Sequence, residues 1–275
     1  MMHTADAEIS RQQPKTDPKT TTAILWSVAV YSLWTVATYL LENRMNLYQR
    51  PTVAGRYTYV LVANVALGTI GAVWVIRSLL RSGFLTPKDV GFRSVGRIAI
   101  SILVAFAAGI IYVWFLQPAS VPFLVTLNGC AQVLPVSIAE IVVCWALLGA
   151  TFESLAKSKG KVVSVAAGIL AASFFFSLYH IGHSAPFNQI NMMLFLLVPG
   201  LITSLFWFVS RELYATILFH NFQGILGVIG NLKDPEILNR PLYPLYFLVF
   251  LSIIALLGAG RLLHLNLMRN SRGHI

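Results

Sequence analysis

Charge is what this sequence has least of. Only 11% of its 275 residues are Asp, Glu, Lys or Arg, against about 25% in an ordinary soluble domain. Hydrophobic residues make up 57%, and no soluble fold of this size has an interior large enough to hide that much apolar surface. There are two cysteines, Cys130 and Cys144, which excludes a disulfide framework. Cys144 falls inside an apolar run, where a lone thiol acts as a small hydrophobe. No fixed-period repeat and no polar linker to a second folded domain is visible. The first apolar run has no small-residue cleavage site after it, so it reads as a retained helix and not a signal peptide.

What the sequence does have is long apolar runs, at about 22–41, 58–80, 97–117, 132–154, 162–180, 191–209, 213–231 and 242–264. About 20 apolar residues span a bilayer as a helix, and backbone polar groups in hydrocarbon must be paired internally. The expected fold is therefore all-α, a polytopic transmembrane bundle of about eight helices. Residues 1–20 read as a disordered cytoplasmic tail, 21–265 as one transmembrane helical domain and 266–275 as a basic cytoplasmic tail.

Twenty Lys and Arg against ten Asp and Glu give a net charge of +10. These basic residues flank the apolar runs, so topology and membrane lipid account for them and no nucleic-acid partner is expected. Arg77, Arg81, Lys88, Arg93 and Arg97 sit in the second loop, Lys157, Lys159 and Lys161 in the fourth, and Arg211 in the sixth. With eight spans these share a side with both tails, while the third and fifth loops have no Lys or Arg. Both termini are thus expected to be cytoplasmic, most simply in the cell membrane. Arg44, Arg50 and Arg56 in the first loop oppose that orientation.

An ionisable residue at membrane depth costs at least about 2.5 kcal/mol and is a functional candidate by default. Glu140 lies in the fourth run, His180 ends the fifth, and His220 is near the middle of the seventh. Alternating helix directions put Glu140 and His180 at compatible depths, with His220 about one or two turns deeper. A carboxylate and two imidazoles from three helices can then converge. Glu140 could act as general base on water with imidazole support, or the three could hold a divalent metal such as zinc. The structural readings are simpler. A membrane histidine is often just an interhelical hydrogen-bond partner, and His183 reads as an interfacial residue. Glu153, thirteen residues after Glu140, is expected to meet water, Arg211–Glu212 to form a corner ion pair, and the Phe174–Phe176 cluster to be packed or lipid-facing bulk.

Around these residues the sequence resembles the CAAX protease and bacteriocin-processing (CPBP) family of intramembrane proteases, which includes the Abi group. Its motifs are Glu-Glu-x-x-x-Arg, Phe-x-x-x-His and His-x-x-x-Asn/Asp, and the likeness covers about 130–232. Phe176-x-x-x-His180 fits in full. Ala139-Glu140 stands on the paired glutamates with Cys144 on the arginine; shifted by one, Glu140-Ile141 does so with Trp145 on the arginine. His220 opens the third motif, with Gly224 in place of its Asn or Asp and Asn221 and Gln223 as nearby substitutes. Gln223 is the better placed of the two on the helix face. Leu85–Phe92 is similar to an amphipathic segment upstream of the motifs in such proteins. The resemblance implies hydrolysis of a peptide or membrane-protein substrate at the membrane, with Glu140 activating water and His180 and His220 supporting it. Phe176, Asn221, Gln223 and Cys144 would be supporting residues. The missing glutamate and arginine point instead to an inactive relative, acting as an immunity, regulatory or partner-binding factor.

Overall fold

The structure, a computed structural model, describes residues 18–50, 52–116, 121–231, 238–239 and 243–272. Among these residues there is no strand, and eight helices are long and apolar enough to cross a membrane. They are α1 (Thr21–Asn43), α2 (Val53–Arg81), α3 (Gly96–Leu116), α4 (Phe123–Leu155), α5 (Lys161–Gly182), α6 (Ile190–Ser210), α7 (Leu213–Asn231) and α8 (Tyr243–Leu263). The chain is an all-α helical bundle of the integral membrane class.

Two helices begin earlier than their apolar runs. Thr52 starts α2 by accepting the Gly55 N–H on its side chain at 3.2 Å, an N-cap that needs no apolar neighbour. Extended Pro122 precedes α4, whose first turns carry Thr126 and Asn128 and so fall below the hydropathy of a run. Of the expected tails, residues 1–17 and 273–275 lie outside the described residues. Pro18 already opens the first helix and the last runs on to Arg272.

At 33 residues, α4 is the longest span, and 89% of its most apolar stretch is buried, against 11% for α3. It packs against α1, α2, α5, α7 and α8, whereas α3 leans mainly on α7. Small residues allow the closest crossings. A Cβ at Gly168 of α5 would come within 3.0 Å of the Gly149 carbonyl of α4 and 2.4 Å of the Phe208 ring. Helices α1, α2 and α5 are joined by a stack of Trp34 on Tyr179, centroids 3.6 Å apart. The Tyr179 hydroxyl reaches Thr38 Oγ1 at 2.9 Å and the Tyr59 hydroxyl at 3.3 Å.

The corner between α6 and α7 corrects two expectations. Arg211 does not pair with Glu212. It adopts the left-handed conformation (φ 51°) and donates through both terminal nitrogens to the two Glu153 oxygens, each at 2.6 Å. Glu153 is thus buried and paired, and does not meet water. Adjacent side chains do not face each other at a helix start. Glu212 turns forward and accepts the N–H groups of Tyr214 at 3.2 Å and Ala215 at 2.6 Å, capping α7. Burial raises its pKa, and these backbone donors lower it. Leu85–Phe92 packs beside this corner as a turn: Asp89 accepts from Thr86, and the Gly91 carbonyl accepts the Leu213 N–H at 3.1 Å.

Candidate active site

Glu140 sits midway along α4, between Pro135 and a π-helical stretch, Ile141–Gly149. Proline removes one ladder hydrogen bond, and π turns break the ordinary 3.6-residue spacing, often beside functional groups. The carboxylate leaves the helix towards α5 and α7. His220 Nε2 lies 3.0 Å from Glu140 Oε2, and His180 Nε2 lies 3.8 Å from Glu140 Oε1. The three side chains therefore meet.

Hydrogen bonds on the far side of each ring fix what faces Glu140. His180 Nδ1 is 2.9 Å from the Phe176 carbonyl, which can only accept, so Nδ1 carries the proton and neutral Nε2 offers a lone pair. His220 Nδ1 is 3.0 Å from Thr203 Oγ1, and that hydroxyl donates to Gln223 Oε1 at 2.6 Å. A carboxylate oxygen 3.0 Å from Nε2 requires a donor in turn. Glu140 thus has one oxygen held by an N–H and the other turned towards a lone pair, at a spacing too long for a direct hydrogen bond. Phe176 separates the two rings, with centroids 4.8 Å from His180 and 5.0 Å from His220. It is buried and holds both edges apart, while its neighbour Phe174 is exposed.

These groups line a cavity of about 470 Å³ whose remaining wall is largely apolar, including Val133, Val136, Phe195, Pro199 and Ile202. Gln223 lines it too, and its Nε2 is buried with no hydrogen-bond partner among the described residues. Asn221 faces the other way, its amide donating to Cys130 Sγ at 3.0 Å. Cys144 is fully buried in the apolar core and is not part of the cavity wall. Trp145 donates from Nε1 to Ser204 Oγ at 2.9 Å, and its ring centroid lies 5.3 Å from those of both Phe176 and His220.

Two close helix approaches lie beside these residues. A Cβ at Gly224 would come within 2.4 Å of Val133 Cγ1, and the Ala139 Cβ lies 2.6 Å from where one on Gly68 would stand. At both places helices approach too closely for a longer side chain.

The sequence passed over a second set of polar groups on the same cavity. His183 stacks on His180, centroids 5.1 Å and planes 26° apart, so it belongs to the site and not to an outer loop surface. Its Nδ1 lies 3.6 Å from Glu42 Oε2, and Asn43 donates to its backbone carbonyl. The Glu42 carboxylate accepts from the Ser184 N–H at 2.6 Å and the Ser184 hydroxyl at 2.7 Å. Arg56 is buried on the same wall, its Nη2 donating to the Leu47 carbonyl at 2.7 Å. Glu42 and Arg56 each fall just outside an apolar run, where they read as loop residues. Among the described residues, Glu140, His180 and His183 are the three that bring potential metal-ligand atoms within 4.8 Å of one another.

The fold and this site define an integral membrane helical bundle with a buried carboxylate–imidazole centre open to an apolar cavity. Compared with models of protein families, with curated proteins and with solved structures, the chain matches none.

Proposed function

We propose that this protein is an intramembrane endopeptidase, similar in mechanism to the CAAX-type CPBP proteases, that hydrolyses a peptide bond presented in the apolar cavity. The observation that carries this reading is the pair of facing acceptors, Glu140 Oε1 and His180 Nε2, 3.8 Å apart on the cavity wall. A water between them donates a hydrogen to each and keeps a lone pair directed into the cavity. As its oxygen bonds to the peptide carbonyl carbon, Glu140 takes the water proton. The proton passes to the leaving nitrogen as the carbon–nitrogen bond breaks, giving acid and amine. The unpartnered Gln223 Nε2 supplies a donor for the developing oxyanion, and the His220 N–H keeps Glu140 oriented.

The orientation that accompanies this reading has both termini in the cytoplasm of a cell membrane. The test is Glu140→Gln in purified, reconstituted protein against a library of membrane-inserted peptides. Cleavage by the wild type and none by the variant, with unchanged helicity and insertion, is the expected result. Equal cleavage by both would remove the proposal.

A second reading rests on the close approaches at Gly224–Val133 and Ala139–Gly68, which fill the space that a fuller set of motif residues would need. It makes the chain a partner-binding or immunity factor on the same scaffold. On that reading Glu140→Ala, His180→Ala and His220→Ala together leave the cellular phenotype intact.

A further inference from the structure

We infer that Glu140, His180 and His183 form a binding site for a divalent transition metal of the zinc type, with His220 outside the ligand set. The inference deepens the proposed function and rests on its site, but metal binding is measurable whether or not a peptide is cut. Three ligand atoms converge. Glu140 Oε1 and His180 Nε2 face each other at 3.8 Å with no proton available to join them. The third is on His183: its Nδ1 side faces Glu42, and its Nε2 is buried and lacks a hydrogen-bond partner among the described residues. Lone pairs turned towards one another repel, unless a donor such as a bridging water or a cation stands between them. One atom from each of the three residues lies within 4.8 Å of the others. Tetrahedral zinc with bonds of about 2.0–2.2 Å spaces its ligands at about 3.3–3.6 Å, so small side-chain rotations close the site.

The set of two imidazoles and one carboxylate is zinc chemistry, since imidazole favours zinc and related ions over magnesium or calcium. It also leaves a coordination position open, on the side where Glu140, His180 and His183 border the cavity. The outer partners fit as well. Metal-bound imidazoles direct their other N–H to an oxygen that fixes the ring; here the Phe176 carbonyl does this for His180, and the Glu42 carboxylate stands beside His183. Glu42 is in turn held by two bonds from Ser184. His220 differs because both its ring nitrogens are already engaged, by Thr203 and by Glu140 Oε2. It acts as a positioning residue that holds the second carboxylate oxygen while the first is free to ligate. A bound ion would lower the pKa of the attacking water, where the free carboxylate only accepts its proton.

The experiment is equilibrium dialysis of the full chain in detergent or nanodiscs against Zn²⁺, together with visible spectroscopy after loading with Co²⁺. One equivalent of zinc per chain is expected, with d–d bands of low-coordinate cobalt and no thiolate charge-transfer band. His183→Ala should weaken binding by at least about 100-fold and Glu42→Gln by about tenfold, while His220→Ala leaves the stoichiometry unchanged. Wild-type protein that takes up no stoichiometric metal overturns the inference, as does binding that survives His183→Ala but is lost in His220→Ala. Peptide cleavage measured on the same samples separates the two claims. Cleavage by protein that takes up no stoichiometric zinc sinks the metal site and leaves hydrolysis standing, whereas bound metal without any cleavage does the reverse.

Discussion

Helix α4 buries two carboxylates, and the difference in their company is instructive. Glu153 has both oxygens closed off by one guanidinium, each at 2.6 Å. Glu140 has one oxygen held by His220 at 3.0 Å, while the other faces a lone pair on His180 at 3.8 Å beside an open cavity. The first arrangement satisfies a buried charge in full and ties the α6–α7 corner to the central helix. The second leaves a carboxylate oxygen available to water or an ion. Burial alone does not mark a reactive carboxylate, since both are nearly hidden from solvent. What separates them is the count of donors delivered to each oxygen.

Substitution at the two glutamates breaks this comparison most directly. Glu140→Gln keeps the shape of the side chain but removes the base, and cleavage should fall by about 10²–10⁴-fold, the usual contribution of a positioned general base. Thermal unfolding followed by circular dichroism should move little. At the other carboxylate the effects exchange places. Arg211→Ala strands a buried charge, a loss of about 3–5 kcal/mol, visible as a lowered unfolding midpoint. Cleavage per folded molecule should stay at the wild-type level. If Arg211→Ala instead cut the rate and spared stability, the division of labour along α4 would be wrong.

The fold was legible because span length and apolarity are one-dimensional properties: eight runs became eight spanning helices. Glu140, His180 and His220 were legible for the same reason, each being an ionisable residue inside such a run. Glu42 and Arg56 were not, because a run is cut where charge begins, and both lie on helices just beyond the cut. Thr203 carries no charge to betray its part in orienting His220, and Gln223 stood out only by its place three residues after that histidine. Glu153–Arg211 was hidden by sequence distance: the nearest opposite charge to Arg211 along the chain is Glu212, but the left-handed turn at Arg211 points the two side chains apart. Local spacing suggested a pair that only the tertiary path could replace.

Gly224 sharpens the comparison at smaller scale, because it tests how closely α4 and α7 approach beside the site. Gly224→Asn places a Cβ within 2.4 Å of Val133 Cγ1, and such overpacking costs about 1–3 kcal/mol. The double variant with Val133→Ala should recover most of that loss. Recovery would be read as a coupling between the two sites in a double-mutant cycle. Full stability of Gly224→Asn alone would mean that α4 and α7 do not approach so closely.

The smallest effect expected separates Gln223 from Asn221, two amides on adjacent faces of α7. Gln223 lines the cavity and its buried Nε2 has no partner among the described residues, whereas Asn221 bonds Cys130. Gln223→Leu should therefore lower kcat, by roughly tenfold or more, as expected for loss of one oxyanion donor. Asn221→Leu should cost about 1 kcal/mol of stability, the worth of one ordinary interhelical hydrogen bond, with kcat unchanged. The ratio of the two kcat values reads out which face of α7 the reacting carbonyl meets. Equal losses would place both amides in a structural role and leave the oxyanion without the donor assigned to it.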